Sequence, residues 1–310
     1  MNLHRAYSAV GAAIVLALAA ACSDQTNDPA PVPTDAPEPV VAVDSAAEPD
    51  LATATTVTVI AAGDIASCSS AYRDEATAKL VAGLSGTVLT LGDNAYPDGT
   101  TSNFRCYNAS WGAFKSRTRP SPGNHEYHTS GAAPYYTYFG SRAGPSGRGY
   151  YSFNLGDWHI ISLNSEKLSS TQENWLRSDL AANRTKCTLA FWHKPLFTSG
   201  RHAPTTAMRP MFRILYDAGA DIVLSGHNHN YERFAPQTPS GNLSSSRGIV
   251  QFVAGTGGAG LYDFTSIQPN SEARYKGHGA LRLRLSSTGY SYKFLSLSGS
   301  SRDSGSGICH

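Results

Sequence analysis

The chain has 310 residues, a formal net charge of +2, 41% hydrophobic and 15% charged residues, and five cysteines. With lysine and arginine scattered and the net charge small, no nucleic-acid-binding patch and no surface held to a membrane by long-range charge is expected. The composition is that of a folded globular chain, and the length admits one large α/β domain or two small ones.

In chain order, Arg5 precedes an uncharged, mostly apolar run over 6–21 that ends Leu18-Ala19-Ala20-Ala21-Cys22. A short basic region, a compact apolar core and small residues at its end read as a signal peptide over 1–21 and an exported protein. The run falls short of the about 20 apolar residues that a permanent spanning helix needs. Cys22 directly after three alanines resembles the lipid-modified cysteine of a bacterial lipoprotein, which implies a membrane tether in the cell envelope. Ordinary cleavage after an Ala-x-Ala site is the alternative and implies a periplasmic or secreted protein. Residues 22–52 repeat Pro, Ala, Asp and Glu with almost no aromatics, the composition of a disordered, extended linker.

A folded catalytic domain is expected over 53–310. Its pattern predicts strands over 57–62 and 87–91, a helix over 72–82, and a short strand over 117–122. A hairpin over 150–154 and 159–164 turns at Gly156-Asp157. A helix over 171–182, capped by Ser170 or Thr171, precedes a strand over 188–192, and a second helix over 205–218 stops at Gly219. Strands follow over 222–224, 249–254, 280–285 and 290–297, the last two joined at Thr288-Gly289. Helices alternate with strands early and hairpins dominate late, so the sheets are mixed. In an oxidising compartment the four cysteines other than Cys22 imply two disulfides, and sequence alone allows three pairings. Cys68–Cys106 is favoured, both being expected in loops after ligand-bearing strands. Cys187–Cys309 would then pin the C-terminus to the strand before His193.

Five of these strands end in chemistry-bearing residues: Gly63-Asp64, Gly92-Asp93-Asn94-Ala95-Tyr96, Gly123-Asn124-His125-Glu126, His193, and Gly226-His227-Asn228-His229. Singly, each has an ordinary reading as a turn former, helix cap or packed histidine. Together they place carboxylates, an amide and imidazoles at strand ends, where open α/β sheets bind their ligands. Carboxylate and amide oxygens suit hard cations, while imidazole suits iron, zinc and manganese. A bridging aspartate suits a pair of metals about 3.5–4 Å apart, a recurring device for phosphate ester hydrolysis.

These segments resemble the metallophosphoesterase signature in its purple acid phosphatase form, within the calcineurin-like phosphoesterases. Tyr96, three residues after Asp93, and the continuation Asn230-Tyr231-Glu232-Arg233 carry the resemblance to that branch. It implies a four-layer αββα sandwich of two mixed sheets flanked by helices, in a short single-domain form without the β-sandwich that precedes the plant enzymes. It further implies one metal, ferric, on Asp64, Asp93, Tyr96 and His229. A second, divalent metal (Fe, Zn or Mn) would take Asp93, Asn124, His193 and His227. His125 is then a contact to the phosphoryl group, and His202 a substrate-side general acid. The implied activity is hydrolysis of small phosphate monoesters by attack of a metal-bound hydroxide on phosphorus. A phosphodiesterase acting on nucleotides or lipid head groups is the nearest alternative. A non-catalytic exported metal-binding or scaffold protein is the alternative of another class. Oligomeric state is open.

Other conspicuous residues carry plainer expectations. His159 reads as a packed strand histidine, and the aromatic cluster 135–139 as core or lid packing. Gly255-Thr256-Gly257-Gly258 lacks a following Walker lysine and reads as a close turn. No GxSxG elbow is present, so no serine nucleophile is expected.

Overall fold

The computed structural model describes residues 56–183, 185 and 187–310. The expected signal peptide, the linker and Cys22 lie outside the described residues. In chain order the elements are β1 (Val57–Ala62), α1 (Asp74–Ala82), β2 (Thr87–Leu91), α2 (Thr101–Ser110), β3 (Thr118–Ser121) and α3 (Ala133–Phe139). Then come β4 (Tyr151–Leu155), β5 (Trp158–Ser162), α4 (Ser170–Ala182), β6 (Cys187–Phe191), α5 (Arg209–Asp217) and β7 (Ile222–Ser225). The chain closes with β8 (Tyr231–Phe234), β9 (Val250–Ala254), β10 (Ser271–Tyr275), β11 (Gly279–Leu285), β12 (Gly289–Ser296) and β13 (Ser301–Ile308).

The strands form two mixed sheets, ordered β13-β12-β11-β1-β2-β3 and β10-β8-β9-β7-β6-β5-β4. Successive side chains of a strand point to opposite faces, and the burial follows that period. Val59, Ala61, Leu89 and Leu91 meet Ile160, Phe191, Leu224 and Phe252 in a core between the sheets. Ile60, Ala62 and Val88 face the other way, onto a layer holding Phe104, Trp111, Tyr135 and Phe139. Ile161, Ala190 and Val223 pack outward against Leu176, Met211, Phe212 and Leu215. Strands covered on both faces read as continuous apolar runs, which is why the pattern exposed them. The result is the expected αββα sandwich. Among the described residues no helix is long and apolar enough to cross a membrane.

Several boundaries differ from the sequence expectation. The cap of α4 is Ser169, in extended backbone, whose hydroxyl accepts the Gln172 N–H at 3.2 Å. The helix expected over 205–218 is a 3-10 turn at Thr206–Met208 followed by α5, with Pro210 in its first turn. Both disulfides form as favoured, Cys68–Cys106 and Cys187–Cys309. Cys106, however, lies inside α2 and not in a loop. The aromatic cluster becomes α3, with Tyr135, Tyr136 and Phe139 buried. His159 is buried as expected, its ring nitrogens 2.8 Å from Asn154 Oδ1 and 2.7 Å from Asp179 Oδ2.

β1, β2 and β3 run parallel in one sheet, and β5, β6, β7 and β9 in the other. Parallel strands deliver their C-terminal ends to one edge. There the loops after β1, β2, β3, β6 and β7 converge.

Candidate metal centre

A glycine directly before Asp64, Asp93, Asn124 and His227 makes the convergence possible. A Cβ on Gly92 would lie 2.6 Å from the His193 ring, and φ there is +81°. A Cβ on Gly123 would lie 2.2 Å from Asp93 Oδ1. The Gly255-Thr256-Gly257-Gly258 turn has the close-approach role expected of it. The Gly257 N–H donates to the Gly63 carbonyl at 2.8 Å, and a Cβ on Gly255 would lie 2.6 Å from Asp64 Oδ2.

All seven predicted ligand side chains come together, in two groups. Tyr96 Oη lies 3.0 Å from Asp64 Oδ1, 3.1 Å from Asp93 Oδ2 and 3.2 Å from His229 Nε2. His193 Nε2 lies 3.1 Å from Asn124 Oδ1, 3.1 Å from Asp93 Oδ2 and 3.2 Å from His227 Nδ1. Asp93 Oδ2 belongs to both groups. The outward nitrogens are committed: His193 Nδ1 donates to the Leu91 carbonyl at 2.9 Å, and His229 Nδ1 to that of Gly260 at 2.6 Å. A carbonyl only accepts, so each Nδ1 carries a proton and each Nε2 faces the cluster, where a cation that displaces any proton would meet its lone pair. Two carboxylates, a phenol, an amide oxygen and three imidazoles fit a pair of borderline cations such as iron, zinc or manganese.

The electrostatics agree with a site built around positive charge. Burial would raise the Asp93 carboxyl, but the His193 imidazole beside it holds it below the usual range. Burial would lower His193, and Asp93 outweighs it upward. The Tyr96 hydroxyl is pushed well above its ordinary value, by burial first and then by Asp64 and Asp93. It therefore stays a phenol beside these carboxylates unless a strongly charged cation takes it as phenolate.

The two predicted substrate-side histidines flank the cluster. His125 donates its backbone N–H to Asp93 Oδ1 at 2.8 Å, and its ring stands 4.2 Å from that of Tyr96. The His202 ring stacks on His227 at 4.3 Å and 25°, and burial lowers its pKa. Of the histidines beside glycine-rich loops, His128 pairs with Asp98 at 3.0 Å and His278 with the Ala259 carbonyl at 2.9 Å.

Sequence reasoning missed three contributors. Asn228, the residue between the paired histidines, accepts the His202 N–H at 2.8 Å and donates to the His202 carbonyl at 3.0 Å. Tyr262 stacks on His229 at 4.0 Å and 10°. Tyr72 stands 5.5 Å from Tyr96. Asn228 lay inside the motif and was legible in principle; the two tyrosines sit in loops with no motif around them. A second meeting of donors, Cys187, Asp221 and Cys309, is accounted for by the disulfide.

A family model described as calcineurin-like phosphoesterase matches residues 57–231, the stretch that carries every candidate ligand and both histidines. The chain belongs to the calcineurin-like phosphoesterase family. Within it, purple acid phosphatase 15 of Arabidopsis thaliana is 31% identical over 189 residues, 47% of this chain and 35% of that protein. Human acid phosphatase type 7 is 28% identical over 204 residues, 53% of this chain and 46% of that protein. The match thus spans less than half the length of these relatives. Among solved structures, a purple acid phosphatase from yellow lupin seeds superposes with a TM-score of 0.70 at 17% identity. That superposition covers 82% of this chain and 54% of the lupin chain, and it supports the two-sheet calcineurin-like phosphoesterase fold.

Proposed function

We propose that this calcineurin-like phosphoesterase is an exported, dinuclear-metal phosphatase acting on phosphate monoesters. The observation that carries the reading is the sharing of Asp93 Oδ2 between the Tyr96 group and the His193 group. Asp64, Asp93, Tyr96 and His229 would hold one cation, expected ferric, and Asp93, Asn124, His193 and His227 a divalent one. Such a pair supplies Lewis-acid charge against phosphoryl oxygens and acidifies a water for attack on phosphorus. His125, at the cluster's edge, orients the phosphoryl group and shares its negative charge. His202 stands against His227 on the other flank and would donate a proton to the departing alkoxide, releasing it as the alcohol. Asn228 fixes the backbone that presents it.

Export is supported by the two disulfides, which persist in oxidising compartments. A membrane tether through Cys22 is part of the proposal, and Cys22→Ala should move the protein from the membrane fraction to the soluble one. The central experiment is metal content and colour. A Tyr96 phenolate on ferric iron gives a visible charge-transfer band, so an oxidised, metal-loaded protein that is colourless would sink the iron assignment and leave a zinc or manganese pair. Rates on an aryl monoester and the matching bis-aryl diester separate the phosphatase from a diesterase. Loaded protein that cleaves neither would instead favour a metal-binding scaffold.

A further inference from the structure

Arg201 stands on a built platform beside the candidate centre. Its loop is held on several sides. Ser199 donates its N–H to Glu232 Oε2 at 2.7 Å, Thr265 donates its N–H to the Ser199 carbonyl at 2.9 Å, and the Thr265 hydroxyl reaches the Gly200 carbonyl at 3.0 Å. The Asn228 clamp on His202 closes the other end. Arg201 Cζ lies over the Tyr262 ring, 5.2 Å from its centroid. That ring is stacked on His229 and meets the His202 ring edge-on at 5.3 Å. The guanidinium is therefore one ring away from a candidate ligand, on the flank where His202 meets the leaving group.

Its charge is also uncompensated. Lys194 is paired with Glu166 at 2.6 Å, Lys276 with Asp263 at 2.6 Å, and Arg233 with Asp303 at 2.7 Å. Among the described residues no carboxylate lies within the same ion-pair range of Arg201. A guanidinium steadied by an aromatic face, and not by a carboxylate, keeps its forked N–H donors for an incoming anion. That fork matches carboxylate and phosphate oxygens in pairs. Because the Tyr262 ring stands between Arg201 and both His202 and His229, the anion it meets is not the phosphoryl group under attack but one farther along the leaving group.

We propose that Arg201, steadied by Tyr262, is a specificity-determining residue that recognises a second anionic group on the leaving alcohol. The favoured substrates are then phosphate monoesters whose alcohol carries a carboxylate or a further phosphate. This rests on the phosphatase reading above.

The test uses the full chain, metal-loaded, as wild type and Arg201→Gln. Initial rates are measured on phenyl phosphate, 4-carboxyphenyl phosphate and 1,4-phenylene bisphosphate. Wild type should prefer at least one of the esters that carry a second anionic group by about tenfold in kcat/KM, the scale of one hydrogen-bonded charge at such a site. That preference should appear chiefly in KM and fall to about one in Arg201→Gln. Whichever arm shows it, carboxylate or phosphate, names the anion. A wild type without preference, or a variant that keeps it, overturns the proposal. Calorimetry with the inert pair benzylphosphonate and 4-carboxybenzylphosphonate gives a readout that needs no turnover. If no ester is cleaved, the phosphatase reading fails while this affinity ratio still decides the role of Arg201: equal affinities overturn it, and an Arg201-dependent preference supports it.

Discussion

Glu126 ties two ligand loops together, and the cost of removing it follows from its partners. Its carboxylate is fully buried. One oxygen accepts the backbone N–H groups of Asn94 (2.8 Å) and Ala95 (3.2 Å), just after Asp93; the other accepts that of Gly123 (2.7 Å), just before Asn124. In Glu126→Ala these three donors lose their partner in a site closed to solvent. Each unsatisfied donor costs about 1–3 kcal/mol, so even the lower bound is about 3 kcal/mol. That is a large share of the roughly 5–15 kcal/mol by which a folded domain is stable. For a domain of this size it lowers the melting temperature by about 6–12 °C at that bound. Displaced loops also lose metal affinity by about 10–100-fold, as outer-shell changes do. Glu126→Gln keeps one acceptor oxygen but turns an amide donor toward backbone donors, and should fall between wild type and Glu126→Ala. Thermal melts of metal-free protein, with elemental analysis after reloading, measure both effects. A Glu126→Ala protein that melts within about 2 °C of wild type and binds two metals would refute the reasoning, since the donors would then have found other partners.

Three further outcomes follow from the same structure. Replacing both cysteines of Cys187–Cys309, which are 122 residues apart, should cost about 5 kcal/mol on the chain-entropy estimate, against about 4 kcal/mol for the 38-residue separation of Cys68–Cys106; denaturant midpoints of the two double variants check the order. Gly92→Ala pushes a Cβ into the His193 ring at positive φ, so metal stoichiometry should drop below two while the far-ultraviolet spectrum keeps its shape. Burial raises the Asp74 carboxyl above its unfolded value, so its contribution to stability is complete below the unfolded pKa and is lost as pH rises through the folded one. Asp74→Asn should therefore gain on wild type between pH 3 and pH 7, and a stability difference constant across that range would contradict the assignment.

The candidate site was more legible than the frame around it. Asp64, Asp93, His193 and His227 each follow an apolar strand, so hydrophobic pattern and chemistry marked the same positions; Asn124 follows the polar strand Thr118–Ser121 and was marked by its motif alone. β13 gave no such signal: Ser304, Gly305, Ser306 and Gly307 carry no apolar alternation. It pairs with β12 because its glycines pass over rings, a Cβ on Gly305 or Gly307 coming 2.5 Å from Tyr292 or Tyr290. β8 was read only as motif, because Glu232 looks like a surface residue. It is fully buried, and Ser199 and Ser271 donate to it from two other segments, partners that no local pattern reports. Tyr262 and Arg201 were missed for the same reason, since only the folded chain brings residue 262 against His229.

Backbone conformation adds an argument independent of the donor chemistry. Asp64, Asp93 and His227 have φ of +60°, +46° and +70°, three of the five non-glycine residues with positive φ among those described. For ordinary residues the left-handed region costs about 1–2 kcal/mol each, and glycine would relieve it. The surrounding hydrogen bonds show what holds these turns. Asp64 aims Oδ1 at Tyr96 and His229, while its Oδ2 accepts the His227 N–H at 2.8 Å. Asp93 does the same with oxygens exchanged: Oδ2 faces the cluster, and Oδ1 accepts the His125 N–H at 2.8 Å. Each aspartate thus orients a histidine-bearing loop with one oxygen and offers the other to the centre. A turn that needed only to reverse the chain would favour glycine here. Side chains that keep a strained backbone, and are locked by one another's amides, are explained by what their free oxygens and nitrogens converge upon.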